Sequence, residues 1–198
     1  KLGARARVAG LECQQVEMAP KDVFRWGYVL CAEKNSGLPL KAVMVNESGQ
    51  PLMQYAFAEI HIGGLPGEDA REESKTRQTA WTASPAPAEM RPIGLDMVNI
   101  RNLPPGFSRI TAVKRRLPHK SAEVEHWVFS DGLTHISLFL EPATHPVESV
   151  RGQSKQGMIN MAKRQVGALE ATVLGDAPWP AIEAIATGLE ARPETTDK

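Results

Sequence analysis

The dipeptide Asp131-Gly132 stands between two stretches of alternating apolar residues, Val124 to Ser130 and Leu133 to Glu141. Asp-Gly suits a two-residue turn in which both φ angles are positive, so this region reads as a β-hairpin. Such a turn sets Trp127 opposite Ile136 and Phe129 opposite Thr134, with Leu138 and Leu140 extending the same apolar side into a core. A period of two does not suit a helix, and similar punctuation recurs along the chain, so the expected architecture is mainly antiparallel β.

In the first third of the chain, Ala4, Ala6 and Val8 alternate with Arg5 and Arg7 from the outset, as in a strand already under way, and the sequence reads as a fragment. Val8 to Met18 is expected to be one strand. A turn at Ala19-Pro20-Lys21-Asp22 leads into Phe24 to Cys31, where Phe24, Trp26, Tyr28 and Leu30 share a face. Asn35-Ser36-Gly37 and Glu47-Ser48-Gly49-Gln50 then turn the chain into Leu38 to Val45 and Leu52 to Ile62. Residues 1–64 therefore form a meander. Its last strand carries Leu52, Ala56, Ala58, Ile60 and Ile62 with Gln54 on one face, and Met53, Tyr55 and Phe57 with Glu59 and His61 on the other. A solvated sheet shows one polar face, so both faces here call for a cover: further chain, a helix, a partner or a lipid.

Residues 65–92 are rich in Gly, Pro, Ala, Ser and charge, and read as a linker in which Trp81 is a docking anchor. A second domain spans 93–191. Met97 to Ile100 and Phe107 to Leu117 flank the bend Leu103-Pro104-Pro105-Gly106, and Gly157 to Val166 and Leu169 to Leu174 follow the central hairpin. Gly175-Asp176-Ala177-Pro178 opens one helix whose buried stripe is Ile182, Ile185, Ala186 and Leu189. Residues 192–198 are expected to be disordered.

The 23 Lys and Arg balance 23 Asp and Glu, so no global field draws the chain to nucleic acid or to an anionic membrane, and binding must be local. No apolar run of about 18 residues is present to span a bilayer as a helix. Cys13 and Cys31 lie about equally far from the first turn, where they are cross-strand neighbours or two buried thiols on separate faces. A bridge would close a loop of roughly 17 residues, contribute ~3 kcal/mol in the chain-entropy model, and require oxidising surroundings. Neither cysteine has a histidine at ligand spacing, so no metal is expected.

The nucleotide, hydrolase and zinc-protease motifs GxGxxG, GxxxxGK[ST], GxSxG and HExxH are missing, and no cofactor is implied. The carboxylate pairs Glu72 with Glu73, in the linker, and Glu123 with Glu125, at a strand's outer start, read as solvated charge. On the expected register, His126 and His135 sit diagonally on the face opposite Trp127, where both meet solvent or respond jointly to acid. Lys114, Arg115 and Arg116, followed by His119 and Lys120, form the one basic cluster, read either as a solvated strand end or as a site for phosphate or an acidic peptide. Alternation sends Arg115 to the face opposite Lys114 and Arg116, and no aromatic residues interleave as nucleic-acid stacking requires.

Arg7-Val8-Ala9-Gly10, Pro20-Lys21-Asp22, Arg25-Trp26-Gly27-Tyr28 and Ser36-Gly37-Leu38 resemble the later strands of the large domain of MucB/RseB proteins, regulators of the sigma-E envelope-stress response. Leu103-Pro104-Pro105-Gly106-Phe107 and Val128-Phe129-Ser130-Asp131-Gly132-Leu133, with Ser137, Phe139 and Glu141-Pro142, are similar to the family's small C-terminal domain. Cys31 departs from the pattern, standing where a tryptophan is common. The resemblance implies a piece of an open, lipoprotein-carrier-like β-barrel domain joined to a small α+β domain. It implies a periplasmic, non-catalytic protein that binds the periplasmic segment of a membrane anti-sigma factor, shields it from the site-one protease, and releases it on a lipid or lipopolysaccharide signal. Trp26, Tyr28, Tyr55 and Phe57 are then the expected ligand contacts, and Arg115 and Arg116 the contacts for an acidic partner segment. The alternative is a plain periplasmic lipid or lipoprotein carrier. Whether the protein is a homo-oligomer is left open.

Overall fold

The computed structural model describes residues 1–63, 91–92, 98–117, 123–143, 151–153 and 158–192. The expected anchor Trp81, the Glu72-Glu73 pair, His119, Lys120, most of the linker and the tail from Pro193 lie outside them.

Strands β1 (Leu2–Val8), β2 (Leu11–Met18), β3 (Gly27–Glu33), β4 (Pro39–Val45) and β5 (Pro51–Ala56) pair antiparallel in chain order as an open meander. The turns are built by side chains that accept backbone hydrogen bonds. Glu33 accepts from the N–H groups of Asn35 and Ser36 and from the Ser36 hydroxyl, and Asn46 accepts from those of Ser48 and Gln50. The stretch expected as one strand from Val8 to Met18 is broken by a tight turn at Ala9-Gly10, both at positive φ (47° and 80°), a geometry that suits a two-residue hairpin. At the far end, β5 stops at Ala56 rather than Ile62, and Ile60 folds back onto the small cluster of Cys13, Cys31 and Leu40. Cys13 and Cys31 are joined by a disulfide across β2 and β3, diagonal in a register that sets Cys13 opposite Glu33 and Cys31 opposite Gln15.

The second unit contains β6 (Arg91–Pro92), β7 (Val98–Ile100), β8 (Ser108–Arg116), β9 (Glu123–Ser130), β10 (His135–Pro142), β11 (Arg151–Gln153), β12 (Asn160–Val166), β13 (Leu169–Gly175), helix α1 (Trp179–Gly188) and β14 (Leu189–Ala191). Seven strands form one antiparallel sheet in the order β11-β12-β13-β10-β9-β8-β6, and β7 pairs with β14 beside it. Arg91 and Pro92 thus belong to a sheet edge rather than to a linker, and proline is tolerated at such an edge. The helix packs on β12 and β13, burying Ala181, Ile182, Ile185 and Ala186, while Leu189 is buried just beyond it, on β14. These meet Phe129, Ile136 and Leu138 in one core. Each fully buried aliphatic or aromatic side chain there contributes roughly 1.5–3 kcal/mol.

The central hairpin keeps its predicted faces but not its register. Ile136 lies opposite Phe129, and Leu138 opposite Trp127, so the loop has four residues, Asp131 to Thr134, rather than two. The cause is the Asp131 carboxylate. It accepts hydrogen bonds from the N–H groups of Leu133 and Thr134, which curls the chain before pairing starts at His135. Because the shift is two residues, the side chains stay on their faces. It does separate His126, now opposite Phe139, from exposed His135 by four residues along the strand direction, so the two are not neighbours. Glu125 departs from the expected solvated charge: it is 6% exposed and lies 3.7 Å from the ammonium of Lys114.

The seam between the sheets as candidate functional site

The segment between β2 and β3 is the tooth by which the first sheet grips the second unit. Alternation predicts Phe24 and Trp26 within a strand, but β3 begins only at Gly27 and both side chains contact the second unit across the seam. Gly27 permits this start, since a Cβ there would lie 2.9 Å from Val45. The Asp22 carboxylate accepts from the N–H of Phe24 and pairs with Arg25, which shapes the segment from within. Phe24 packs against the core of the second unit. The Arg25 guanidinium lies 2.8 Å, through Nε, from the Asp131 carboxylate, donates through Nη2 to the Pro105 carbonyl, and sits 5.5 Å from the centre of the Phe107 ring. Trp26 donates its indole N–H to the Asp176 carbonyl at 2.8 Å. Tyr28 hydrogen-bonds the Thr134 side chain, and burial raises the pKa of its phenol.

Beside these contacts opens a cleft of about 310 Å³ lined by Met18, Pro20, Trp26, Tyr28, Leu133 and Thr134, with Lys21, Asp22, Arg25 and Asp131 also at its wall. One side comes from the first sheet and the other from the β9–β10 loop. Arg25 pairs with both acids, and its charge and that of the exposed Lys21 together balance theirs, so the cleft combines an apolar wall with a charged rim of zero net charge. Asp131 is nearly closed to solvent, which by itself would raise its carboxyl pKa; the N–H groups of Thr134 and Leu133 and the guanidinium of Arg25 outweigh that and hold it below the ordinary carboxylate value.

Of the residues singled out from sequence, Trp26 and Tyr28 meet here. Tyr55 and Phe57 do not: they line a separate hollow of about 190 Å³ with Leu40 and Ala42 on the edge formed by β4 and β5, where Tyr55 is 62% exposed. Arg115 and Arg116 lie on opposite faces of β8, away from the cleft. Arg115 is half-buried with Nη1 3.5 Å from Nδ1 of His126, and Arg116 is exposed. His126 stacks on Phe139 at 4.3 Å and bonds the Ser137 hydroxyl; burial, and then Arg115, lower its pKa. The sequence pattern does not mark Phe24, Arg25, Asp131 and Asp176 as site residues. The available signal was an arginine inside an aromatic alternation, a place where a charge needs a partner. Among the described residues, no group of three or more His, Cys, Asp or Glu side chains is arranged to hold a metal ion.

Comparison with known proteins bears on this two-sheet arrangement. The model of the MucB/RseB N-terminal domain matches residues 1–84, and that of the MucB/RseB C-terminal domain matches residues 96–190. The chain belongs to the MucB/RseB family. It is 32% identical to the sigma factor AlgU regulatory protein MucB of Pseudomonas aeruginosa, across 98% of this chain and 60% of that protein. It is 24% identical to the sigma-E factor regulatory protein RseB of Escherichia coli strain K12, across 94% of this chain and 57% of that one. The chain therefore spans about three-fifths of the length of these family members. A crystal structure of MucB in complex with MucA(peri) superposes with a TM-score of 0.77 at 27% identity, covering 98% of this chain and 67% of that one. A further crystal structure of MucB gives 0.56 at 25% identity, covering 96% and 62%.

Proposed function

We propose that this chain is the later part of a periplasmic regulator that binds the periplasmic segment of a membrane anti-sigma factor and shields it from the site-one protease, without catalysis of its own. The observation that carries the reading is the likeness of the two-sheet arrangement to MucB bound to MucA(peri). The seam cleft supports it chemically. Its volume lies at the low end of the roughly 300–1,000 Å³ of small-molecule pockets, a size suited to one or two bulky peptide side chains. Lys21, exposed at its wall, offers one positive charge to an acidic residue of that peptide.

Trp26 and Tyr28 are then anchor contacts, as aromatic residues commonly are at the centres of interfaces. Tyr55 and Phe57 offer a second apolar hollow, and Arg115 and Arg116 are contacts for acidic residues outside the cleft. Lipid or lipopolysaccharide acts as the releasing signal.

Calorimetric titration with the periplasmic segment of its own organism's anti-sigma factor, repeated with lipopolysaccharide present, tests this. Binding in the micromolar range or tighter, roughly −8 kcal/mol or more negative, and weakened by lipopolysaccharide, is the expected result. Absence of binding by folded protein would overturn the reading for this part of the molecule.

A further inference from the structure

Three separated stretches of sequence converge on one side chain. Asp22 and Arg25 come from the tooth, Pro105, Gly106 and Phe107 from the bend before β8, and Asp131 from the β9–β10 loop. The guanidinium fork satisfies a carboxylate on each side of the seam and a backbone carbonyl in between, and its central carbon lies over the Phe107 ring, 5.5 Å from its centre. A single ammonium could not reach all of these, because the fork's geometry and not its charge alone fits the acceptors. Gly106 has φ +81°, and a Cβ there would lie 2.6 Å from Arg25 Nη2, so the bend is shaped to admit the arginine.

Asp131 couples this hub to the cleft. One of its oxygens, Oδ1, accepts from the N–H groups of Leu133 and Thr134, which are the cleft residues contributed by the second unit, and the other, Oδ2, takes Arg25. The same carboxylate therefore holds the far wall of the cleft and fastens it to the near wall. Its side chain is 3% exposed, so removal of Arg25 leaves a buried carboxylate without its counter-charge, and the loop must move to hydrate it.

We propose that Arg25 and Asp131 are positioning residues of the partner site: their ion pair sets the spacing of the cleft walls and the arrangement of the two sheets in which the anti-sigma segment is held. This rests on the partner-binding reading above. The arrangement found here superposes on that of MucB in complex with MucA(peri) with a TM-score of 0.77. Neither residue needs to touch the partner. Trp26 and Tyr28 make the contact, and the ion pair decides whether the opposite wall is in place.

The test uses Arg25→Lys, which keeps the charge but loses the fork, and Asp131→Asn, whose amide oxygen still caps the loop but no longer carries charge. Titration with the organism's own anti-sigma periplasmic segment is read beside hydrogen exchange of this chain without partner. Each substitution is expected to weaken binding at least tenfold and to speed exchange at Leu133 and Thr134 and between Met18 and Tyr28, with protection in β10 and β13 unchanged. Unchanged affinity in both variants would overturn the proposal, and so would faster exchange throughout both sheets, which would make the pair a support of the fold and not of the cleft. If the unsubstituted chain does not bind the segment, the functional reading falls; exchange then decides alone whether the pair sets the cleft, with unchanged rates at its walls refuting that.

Discussion

The indole N–H of Trp26 reaches the carbonyl of Asp176 at 2.8 Å, across a separation of 150 residues, and so ties the end of the first sheet's tooth to the loop that leads into α1. Asp176 is itself held in place, since its carboxylate accepts from the N–H of His135 at 3.2 Å. Trp26→Phe keeps a large apolar ring in the cleft but leaves that carbonyl without its donor. The expected loss is about 1 kcal/mol of stability, the usual net worth of one such bond, measured as a lower urea midpoint with unchanged slope. Trp26→Ala removes the anchor as well, and partner affinity should fall further than it does for the phenylalanine variant.

The disulfide makes a prediction confined to the first sheet. Cys13 and Cys31 are 2% and 3% exposed and sit in a small cluster with Leu40, so the bridge there supplements a modest core. Replacing both with Ala releases a loop of roughly 17 residues and should cost ~3 kcal/mol in the chain-entropy model. Chemical denaturation followed by far-ultraviolet circular dichroism, with and without reductant, checks this. Reductant should shift the unsubstituted chain toward the variant and leave the variant itself unmoved.

Most of the strands were legible because Gly, Pro and Asn mark their ends, and because the period of two survives shifts of two residues. The hairpin around Asp131-Gly132 shows the limit. Its faces were readable, yet its register was not, since Asp131 spends its carboxylate on the N–H groups of Leu133 and Thr134 instead of leaving a two-residue turn. The site was legible only by halves. Trp26 and Tyr28 stand out as aromatics in an alternating pattern, whereas Arg25 acquires its meaning from Pro105, Phe107 and Asp131, and no local period relates residues so far apart in the chain. Arg115 and Arg116 attracted attention as a run of charge, but alternation along β8 splits them between two faces.

His126 predicts a pH dependence of definite sign. Burial, and then the charge of Arg115, hold its pKa below the ordinary 6.5, so the folded chain keeps the ring neutral where the unfolded chain takes a proton. Stability attributable to His126 is therefore fully present above pH 6.5 and is lost as pH falls from there toward the lowered folded value. Thermal midpoints recorded across that window should decline. In His126→Phe, which keeps a ring against Phe139 but cannot titrate, the decline should be shallower. An equal slope in the two proteins would place the proton uptake elsewhere.

Gly106→Ala separates the two demands made on that glycine. At φ +81° a residue with a Cβ is strained by roughly 1–2 kcal/mol, and the loss of stability should be of that size if backbone conformation were all that mattered. The added methyl would also lie 2.6 Å from Arg25 Nη2, on the path by which the guanidinium reaches the Pro105 carbonyl. The arginine must therefore withdraw, and the variant should lose partner affinity to about the extent seen for Arg25→Lys. Combining the two substitutions tests this directly. Residues that act through one shared contact give non-additive effects, so the double variant should bind scarcely more weakly than either single one. Additive losses in the titration would mean that Gly106 and Arg25 serve the seam independently.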